Sequence, residues 1–498
     1  MRAEPFPLAL AAGDRPLCVR IADALADDVA RGRLRPGDPL PGTRTLARSL
    51  GVHRSTVVAA YAELAAQGWT AARPGGATVV AAASPDPKPR RLFARAAARA
   101  GVAAAPGFPL GPPPEAIRPP PPALPRGTLA LWGGIPDLRL VPVDLLARAY
   151  RRVARRRGAD LFGYRQDILG HAALRAALAR LVAGARGIAA DAGAVMITRG
   201  SQMALYLVAR ALVRPGDVVA VEALGYPNAV NVFRRAGATV VPIPVDAQGM
   251  DTGALDALAR RQRVRLVYVT PHHQYPTTVT LAAARRLALL DLARRERIAV
   301  VEDDYDQEFH YDGRPVLPLA SQDPHGHVVY VGTLAKILAP GLRLAFVVAP
   351  PALLARLAEE RVLVDRQGDA ALECAVAELL DDGEVQRHVR RTRRVYHRRR
   401  DAFCAAVDRA LAGALRYRRP PGGLALWTEA APDVDVELWQ RRAAERGVYF
   451  QIGRQFTLDG SPAPNVRLGF AVVDEKEGAL AVARMADALP ASRTRRRR

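Results

Sequence analysis

Cysteine is nearly missing from this chain of 498 residues: Cys18, Cys374 and Cys404 stand far apart in sequence. That excludes a disulfide-stapled secreted scaffold and a cysteine-rich zinc site. Lysine is almost as scarce. It occurs at 88, 336 and 476, so the other 69 of the 72 basic residues are arginine. Nowhere do ~18 apolar residues run uninterrupted, so no membrane span is expected. The opening MRAEPFPLALAAGDR is too acidic, and its apolar run too short, for a secretory signal. A cytoplasmic protein is the expectation.

Half of the residues are hydrophobic, enough for a sizeable core without a staple. At roughly 100–200 residues per domain, the length suggests two to four domains. The formal net charge is +23. Two readings stand side by side: a nucleic-acid partner, or a GC-rich coding bias that also explains the abundant Ala and Pro. Residues 1–82 hold ten basic and seven acidic groups, a net of only +3. One such module alone is not expected to grip DNA tightly, so two copies or charge elsewhere are needed.

The first ~80 residues read as a compact unit. Leu17, Ile21, Leu25 and Val29 form a helical stripe, ended by Gly32 and Pro36-Gly37. A short helix follows over about Thr43–Leu50, with Leu46 and Leu50 inward, then the turn Gly51-Val52. A third helix over about Arg54–Gln67 carries Val57, Val58, Tyr61 and Leu64, and Gly68 ends it. WTAARPGGATVVAAA reads as two short strands around Pro74-Gly75-Gly76. This is the order of a winged helix-turn-helix. Arg44, His53, Arg54, Ser55 and Thr56 surround the turn, and the last three open the recognition helix. Arginine can grip guanine edges or phosphate, and hydroxyls with helix N-terminal amides suit phosphate. Ser55 and Thr56 equally suit plain helix capping, and His53 suits the turn. Gly75 and Gly76 allow the wing tip to approach a groove closely.

Residues 83–126 are a Pro-rich linker, including APGFPLGPPPEAIRPPPPALPRG, and should be extended. From 127 to 490, apolar strands such as AVMIT, DVVAVE, RLVYVT, IAVVEDD and HVVYVGT alternate with amphipathic helices. That pattern predicts a mostly parallel sheet covered on both faces. The last residues, 491–498, read as a disordered basic tail.

Four constellations in the larger region carry chemistry. Lys336 lies in VVYVGTLAKILAPGLRLAFVVAP, between two apolar runs. Where Arg has replaced almost every Lys, a retained lysine suggests an amine that must lose its proton, as in a Schiff base. Arg343, seven residues on, could pair with a phosphate, and Thr333 could add a hydroxyl. Second, IAVVEDDYDQEF ends a buried strand at Glu302-Asp303-Asp304, a cluster that is costly without a cation. A pyridinium nitrogen, magnesium or simple solvation would each answer it, and Tyr305 could bond a ring hydroxyl. Third, Gly200-Ser201-Gln202 between strand and helix makes an anion site, or a helix cap. Fourth, Gly225-Tyr226-Pro227 puts an aromatic ring at a strand end, for stacking or for the core.

Two resemblances follow. GRLRPGDPLPGTRTLARSLGVHRSTVVAAYAELAAQGW resembles the GntR winged helix in its G-x-L-x-P-G-x-x-L-P, R-x-L-A, G-V-x-R-x-T-V and A-Y-x-x-L-x-x-x-G-W elements, over about residues 16–81. VGTLAKILAPGLRL, VEDDYDQEFHYDG, PHHQYPTT and NVRLGFA resemble the aminotransferase-like domain of the MocR subfamily of GntR regulators. The resemblance implies an α/β protein: an N-terminal winged helix-turn-helix, then a fold-type I aminotransferase-like domain that binds pyridoxal 5'-phosphate. It implies Lys336 as the Schiff-base lysine, Asp303 at the pyridine nitrogen and Tyr305 at the ring hydroxyl. It also places Gly200, Ser201, Gln202 and Arg343 near phosphate, Tyr226 on the ring, His273 and Gln274 close by, and Arg467 on an effector's carboxylate. Departures are Ala335 for Ser, Leu224 for Pro, Thr278 for Gly, and Arg165 where a Gly usually follows Tyr164.

The expected protein is therefore a homodimeric regulator of a double-stranded DNA operator. Its second domain senses an amino acid, an amine or a B6 vitamer. The alternative is a working aminotransferase with an appended DNA reader. His272-His273, His325 and His327 have no evident set of partners in sequence, and no metal is expected. The Arg-rich stretch 388–403 reads as a solvated helix face.

Overall fold

The computed structural model describes residues 8–10, 15–73, 77–82, 108–110 and 124–490. The chain separates into two compact units, Met1–Pro114 and Glu115–Arg498. Most of the Pro-rich segment, the wing tip with Gly75 and Gly76, and the tail 491–498 lie outside the described residues.

In the first unit, α1 (Leu17–Ala30), α2 (Thr43–Leu50) and α3 (Arg54–Ala66) precede an antiparallel pair, β1 (Thr70–Ala72) and β2 (Thr78–Val80). Ile21 and Leu25 of α1 pack with Leu46, Val57, Ala60, Leu64 and Val80 in one small core. Leu17 and Val29 are only half-buried, because they lie at the two ends of α1. Gly51 ends α2 at φ +65, which glycine adopts without strain. Val58 departs from the expected apolar set: it is 46 % exposed. It follows Val57 by about 100° around the helix, which carries it off the inward face.

The second unit opens with β3 (Leu129–Leu131). A seven-stranded sheet follows, made of β4 (Val195–Thr198), β5 (Val218–Glu222), β6 (Thr239–Ile243), β9 (Val264–Val269), β10 (Ala299–Asp304), β11 (Val328–Thr333) and β12 (Ala345–Val348). A small hairpin of β7 (Val245–Asp246) and β8 (Gly249–Met250) follows β6. The sheet order is β4-β12-β11-β10-β9-β5-β6, and every pair is parallel except those made by β12. Both faces are covered, which explains why the strands are apolar throughout. Val219 and Val221 of β5 join the core containing Leu205 and Val208, whereas Val218 and Ala220 join the core containing Leu289 and Leu292.

A second sheet, β13 (Leu415–Tyr417), β14 (Ala425–Ala430), β16 (Asn465–Gly469), β15 (Val448–Ile452) and β3 in that order, is mostly antiparallel. The sequence reading did not separate it, since runs of three to six residues carry no period that distinguishes parallel from antiparallel pairing. The Arg-rich stretch lies on the helix Glu384–Ala410, and only part of it is solvated. Arg390, Arg391, Arg393, Arg394 and Arg398 are exposed. Arg399 and Arg400 are buried: Arg399 bonds Asp137 and the Ala471 carbonyl, and Arg400 bonds Asp312 and the Pro420 carbonyl. Among the described residues, no helix is long and apolar enough to cross a membrane.

Candidate functional site

The carboxyl ends of the parallel strands of the large sheet point to one place, as ligand sites of α/β sheets do. β4 leads to Gly200, β5 to Tyr226, β9 to His273, β10 to Asp303 and Tyr305, and β11 to Lys336. The turn bearing Lys336 is braced by Thr333. Its hydroxyl accepts from the Ala335 amide at 3.1 Å and lies 3.4 Å from the Leu344 carbonyl. Thr333 thus has a structural task in addition to any contact with a ligand. Gly332 is required before it, because a Cβ there would overlap the Phe346 ring. Burial pushes the Lys336 ammonium below its usual pKa, while Asp306 and Asp303 oppose that shift.

Strand alternation sorts the carboxylates of β10. Glu302 accepts the amides of Leu319 and Ala320, and Asp304 accepts the Tyr330 hydroxyl at 2.6 Å. Asp304 also feels Arg186, which pairs with Glu308 and bonds Tyr330. Asp303 is separate from them. Its Oδ2 accepts the Tyr268 hydroxyl at 2.8 Å, and its Oδ1 is buried with no hydrogen-bond partner. Burial lifts the Asp303 carboxyl to about 6, with Tyr268 and Lys336 among the groups holding it down. A buried acceptor without a donor is costly, and a ring N–H cation would answer it.

Gly200, at φ +81, starts the helix Ser201–Leu212. A Cβ on Gly200 would stand 2.5 Å from the Arg343 guanidinium, so glycine is what lets Arg343 reach this helix start. Arg343 donates to the Arg199 carbonyl at 3.1 Å and remains exposed. Gln202 donates to the Asn228 carbonyl at 3.3 Å, and its Oε1 is buried without a partner. The first amides of a helix lack partners within it. With Arg343 and Ser201 they offer the donors that an anion would need.

An aromatic shell closes the site. Tyr226 sits edge-on to Tyr275 at 5.5 Å and near enough to Asp303 and Arg343 to feel both charges. Tyr275 stands edge-on to Tyr305 and to Phe456. The Tyr305 hydroxyl donates to the His273 carbonyl at 2.9 Å. On β16, Arg467 lies over the Tyr275 ring at 4.1 Å and is 1 % exposed. Its Nε and Nη1 are buried without partners, and a Cβ on Gly133 would overlap Nε. The Arg467 charge already acts on Asp306 and Tyr305, and its two open N–H groups would suit a further carboxylate.

The ring of His273 does not face Asp303. Its Nδ1 is 2.8 Å from Asp306 Oδ1, and burial drives the imidazole down to about 3. Gln274 is a loop brace, accepting from the Thr277 amide and hydroxyl and donating to the Leu224 and Tyr275 carbonyls. Thr278, one of the departures, has φ +62. A β-branched residue there is strained, which is the physical reason for glycine at this place in the motif. Sequence reasoning did not single out Asp306, Tyr268, Tyr275 or Gly133. Asp306 and Tyr275 stood inside the quoted motifs. Tyr268 was hidden as one aromatic in an apolar strand.

In the first unit, Arg44, His53, Arg54 and Ser55 are exposed and Thr56 is half-buried. His53 caps α3: its Nδ1 is 2.6 Å from the Ser55 hydroxyl and faces the Ser55 amide. Arg54 Nε donates to the Thr43 hydroxyl at 3.3 Å, tying α3 to α2. Arg44, Gly51, His53, Arg54 and Ser55 all lie on the accessible surface around the turn.

A winged helix-turn-helix and a strand-end site built around one lysine define a DNA-binding regulator with an aminotransferase-like domain. Aminotransferase class I and II matches residues 141–485, and the bacterial regulatory proteins of the gntR family match residues 17–80. The chain is 34 % identical to the probable rhizopine catabolism regulatory protein MocR of Rhizobium meliloti, over 93 % of this chain and 92 % of that one. It is also 34 % identical to the transcriptional regulator TauR of Rhodobacter capsulatus, covering 88 % and 89 %. The α-aminoadipate aminotransferase LysN of Thermus thermophilus, solved with N-(5'-phosphopyridoxyl)-L-leucine, superposes with a TM-score of 0.68 at 32 % identity, covering 73 % of this chain and 92 % of that one. The chain belongs to the MocR subfamily of GntR-family transcriptional regulators.

Proposed function

We propose that the second unit holds pyridoxal 5'-phosphate on Lys336 and uses that site to sense an amino acid, an amine or a B6 vitamer. The observation that carries this reading is Asp303 Oδ1, buried without a partner beside Lys336. When bound, the cofactor supplies an aldehyde that captures primary amines. Asp303 holds the ring nitrogen's proton, and Tyr305 hydrogen-bonds the ring hydroxyl. Gly200, Ser201, Gln202 and Arg343 bind the phosphate, with Thr333 beside them. Tyr226 stacks on the ring, and the buried Arg467 orients an effector through its carboxylate. His273 supports the site through Asp306 and its own carbonyl.

Arg44, His53, Arg54, Ser55 and Thr56 read or grip the operator, helped by Gly75 and Gly76 in the wing. The net charge of +3 over residues 1–82 calls for two modules per operator or for charge elsewhere in the chain, and the resemblance to aminotransferase-like domains favours a homodimer. An effector switches the regulator only if it binds one arrangement of the modules better than another.

The test combines visible absorbance of the purified cofactor-loaded protein with mobility shifts on DNA from upstream of its own gene. A band that shifts and persists with one amine or amino acid, together with altered DNA affinity, supports the reading. No shift across the whole panel, or a monomer on sizing chromatography at DNA-binding concentrations, contradicts it. Burial lowers the Lys336 pKa, which favours the neutral amine a proton-transferring base needs and supports a second reading, a working aminotransferase. Turnover of an amino donor with a keto acid distinguishes the two.

A further inference from the structure

Beside the lysine site, three histidines from two segments converge. His272 and His273 follow β9, and His310 arrives from the loop after β10. Sequence spacing gave the first two no third partner; the fold supplies one. Ring centroids lie 4.4 Å apart for His272 and His273, 5.8 Å for His272 and His310, and 5.9 Å for His273 and His310. One nitrogen from each ring lies within 4.8 Å of the others.

Four of the six ring nitrogens are buried with no hydrogen-bond partner: both of His272, Nε2 of His273 and Nδ1 of His310. A neutral imidazole always carries one N–H donor and one lone pair. His272 therefore leaves a donor and an acceptor unmet inside the protein, which packing alone does not repay. The remaining nitrogen of His273, Nδ1, stands 2.8 Å from Asp306 Oδ1. This is the outer carboxylate that metal-ligating histidines ordinarily bond. Gly422 packs closely against Nε2 of His273, where a Cβ would overlap the ring, so only glycine fits beside it.

We propose that His272, His273 and His310 bind one divalent transition-metal ion of the zinc class, with a fourth position left for water or a small ligand. Three imidazoles suit Zn2+, Co2+ or Ni2+ and disfavour Mg2+ or Ca2+. A tetrahedral ion with ligands at ~2.1 Å sets its nitrogens ~3.4 Å apart. The three nitrogens, now within 4.8 Å of one another, would have to draw closer to meet that requirement. PHHQYPTT resembles the family motif P-S-H-Q-Y-P-T-G, in which Ser stands where this chain has His272. The site would connect to the lysine pocket through Asp306 and through the His273 carbonyl that accepts from Tyr305. The proposal does not depend on which effector binds.

The test is titration of tag-free, full-length, cofactor-loaded protein with Co2+, followed by displacement with Zn2+. The expected result is one equivalent bound, with a visible band of tetrahedral cobalt. His272→Ser, the motif's own residue, and His310→Gln should each weaken binding at least 10-fold. Both should keep the parent's circular dichroism and cofactor absorbance. Changing His325 and His327 together to Ala should leave the affinity unchanged, because His325 is exposed and neither belongs to the cluster. Absence of a cobalt band in the parent, or equal binding by His272→Ser and His310→Gln, overturns the proposal.

Discussion

In the winged helix, Arg44, Arg54 and Ser55 are exposed, and the polar groups of Arg54 and Ser55 bond within the turn. In the aminotransferase-like unit, Asp303 and Arg467 are buried and keep polar atoms that bond nothing in the chain. An exposed arginine is solvated whether or not DNA is present, so its position says little about its partner. A buried unpaired oxygen or guanidinium N–H costs folding free energy. A bound ligand would satisfy it, as proposed for Asp303 and Arg467. The second unit therefore describes its ligand through its deficits, while the first describes only where a ligand could lie.

The largest expected effect follows from Lys336→Ala. The chain should lose its visible band and all effector response, while the winged helix still binds DNA in a mobility shift. A variant that kept the response would break the contrast between the units. Arg467→Ala comes next. Losing one partner of a buried charge pair costs about 2–5 kcal/mol. Binding of a carboxylate-bearing effector should weaken roughly 30-fold or more in an absorbance titration, whereas simple amines should change little.

Glu222 tests burial itself. It sits at the end of β5, where its Oε2 accepts from the Thr270 amide and hydroxyl. Burial lifts it from 4.5 to about 7 in the folded chain. With the folded value above the unfolded one, the stability it contributes is full below about 4.5 and is lost as pH rises through about 7. That loss is of the order of 3 kcal/mol. Glu222→Gln should flatten this part of the profile, so melting temperatures at pH 5 and pH 8 should differ less than in the parent. An unchanged profile would show that the carboxyl titrates alike in the folded and unfolded chain, with no shift from burial. The smallest effect belongs to the exposed surface. Arg54→Ala should weaken DNA binding by about 1–3 kcal/mol. A uniform loss across sequences with a shallower salt dependence marks a phosphate contact, and a loss at one base position marks direct reading.

The three helices of the first unit were legible because glycine punctuation follows each one: α2 spans Thr43–Leu50 as read, with Gly51 next. The lysine and the β10 carboxylates stood out because costly residues sit at apolar strands, whereas Arg467 came only from the resemblance of NVRLGFA to a family segment. What could not be read was which carboxylate faces which side. Asp303 differs from Glu302 and Asp304 only through the strand's alternation against Tyr268, Leu319 and Tyr330. Nor could the sequence bring His310 to His272, because they are joined only by folding through β10. The second sheet was hidden for a similar reason: its pairings connect β3 with β15, over 300 residues apart.

The central claim is that Lys336 is the cofactor's point of attachment. With lysines only at 88, 336 and 476, borohydride reduction of the pyridoxal-phosphate-loaded protein followed by peptide mass analysis decides it directly. The account predicts one phosphopyridoxyl group per chain, on the peptide containing Lys336. No label, or a label confined to Lys88 or Lys476, would contradict it.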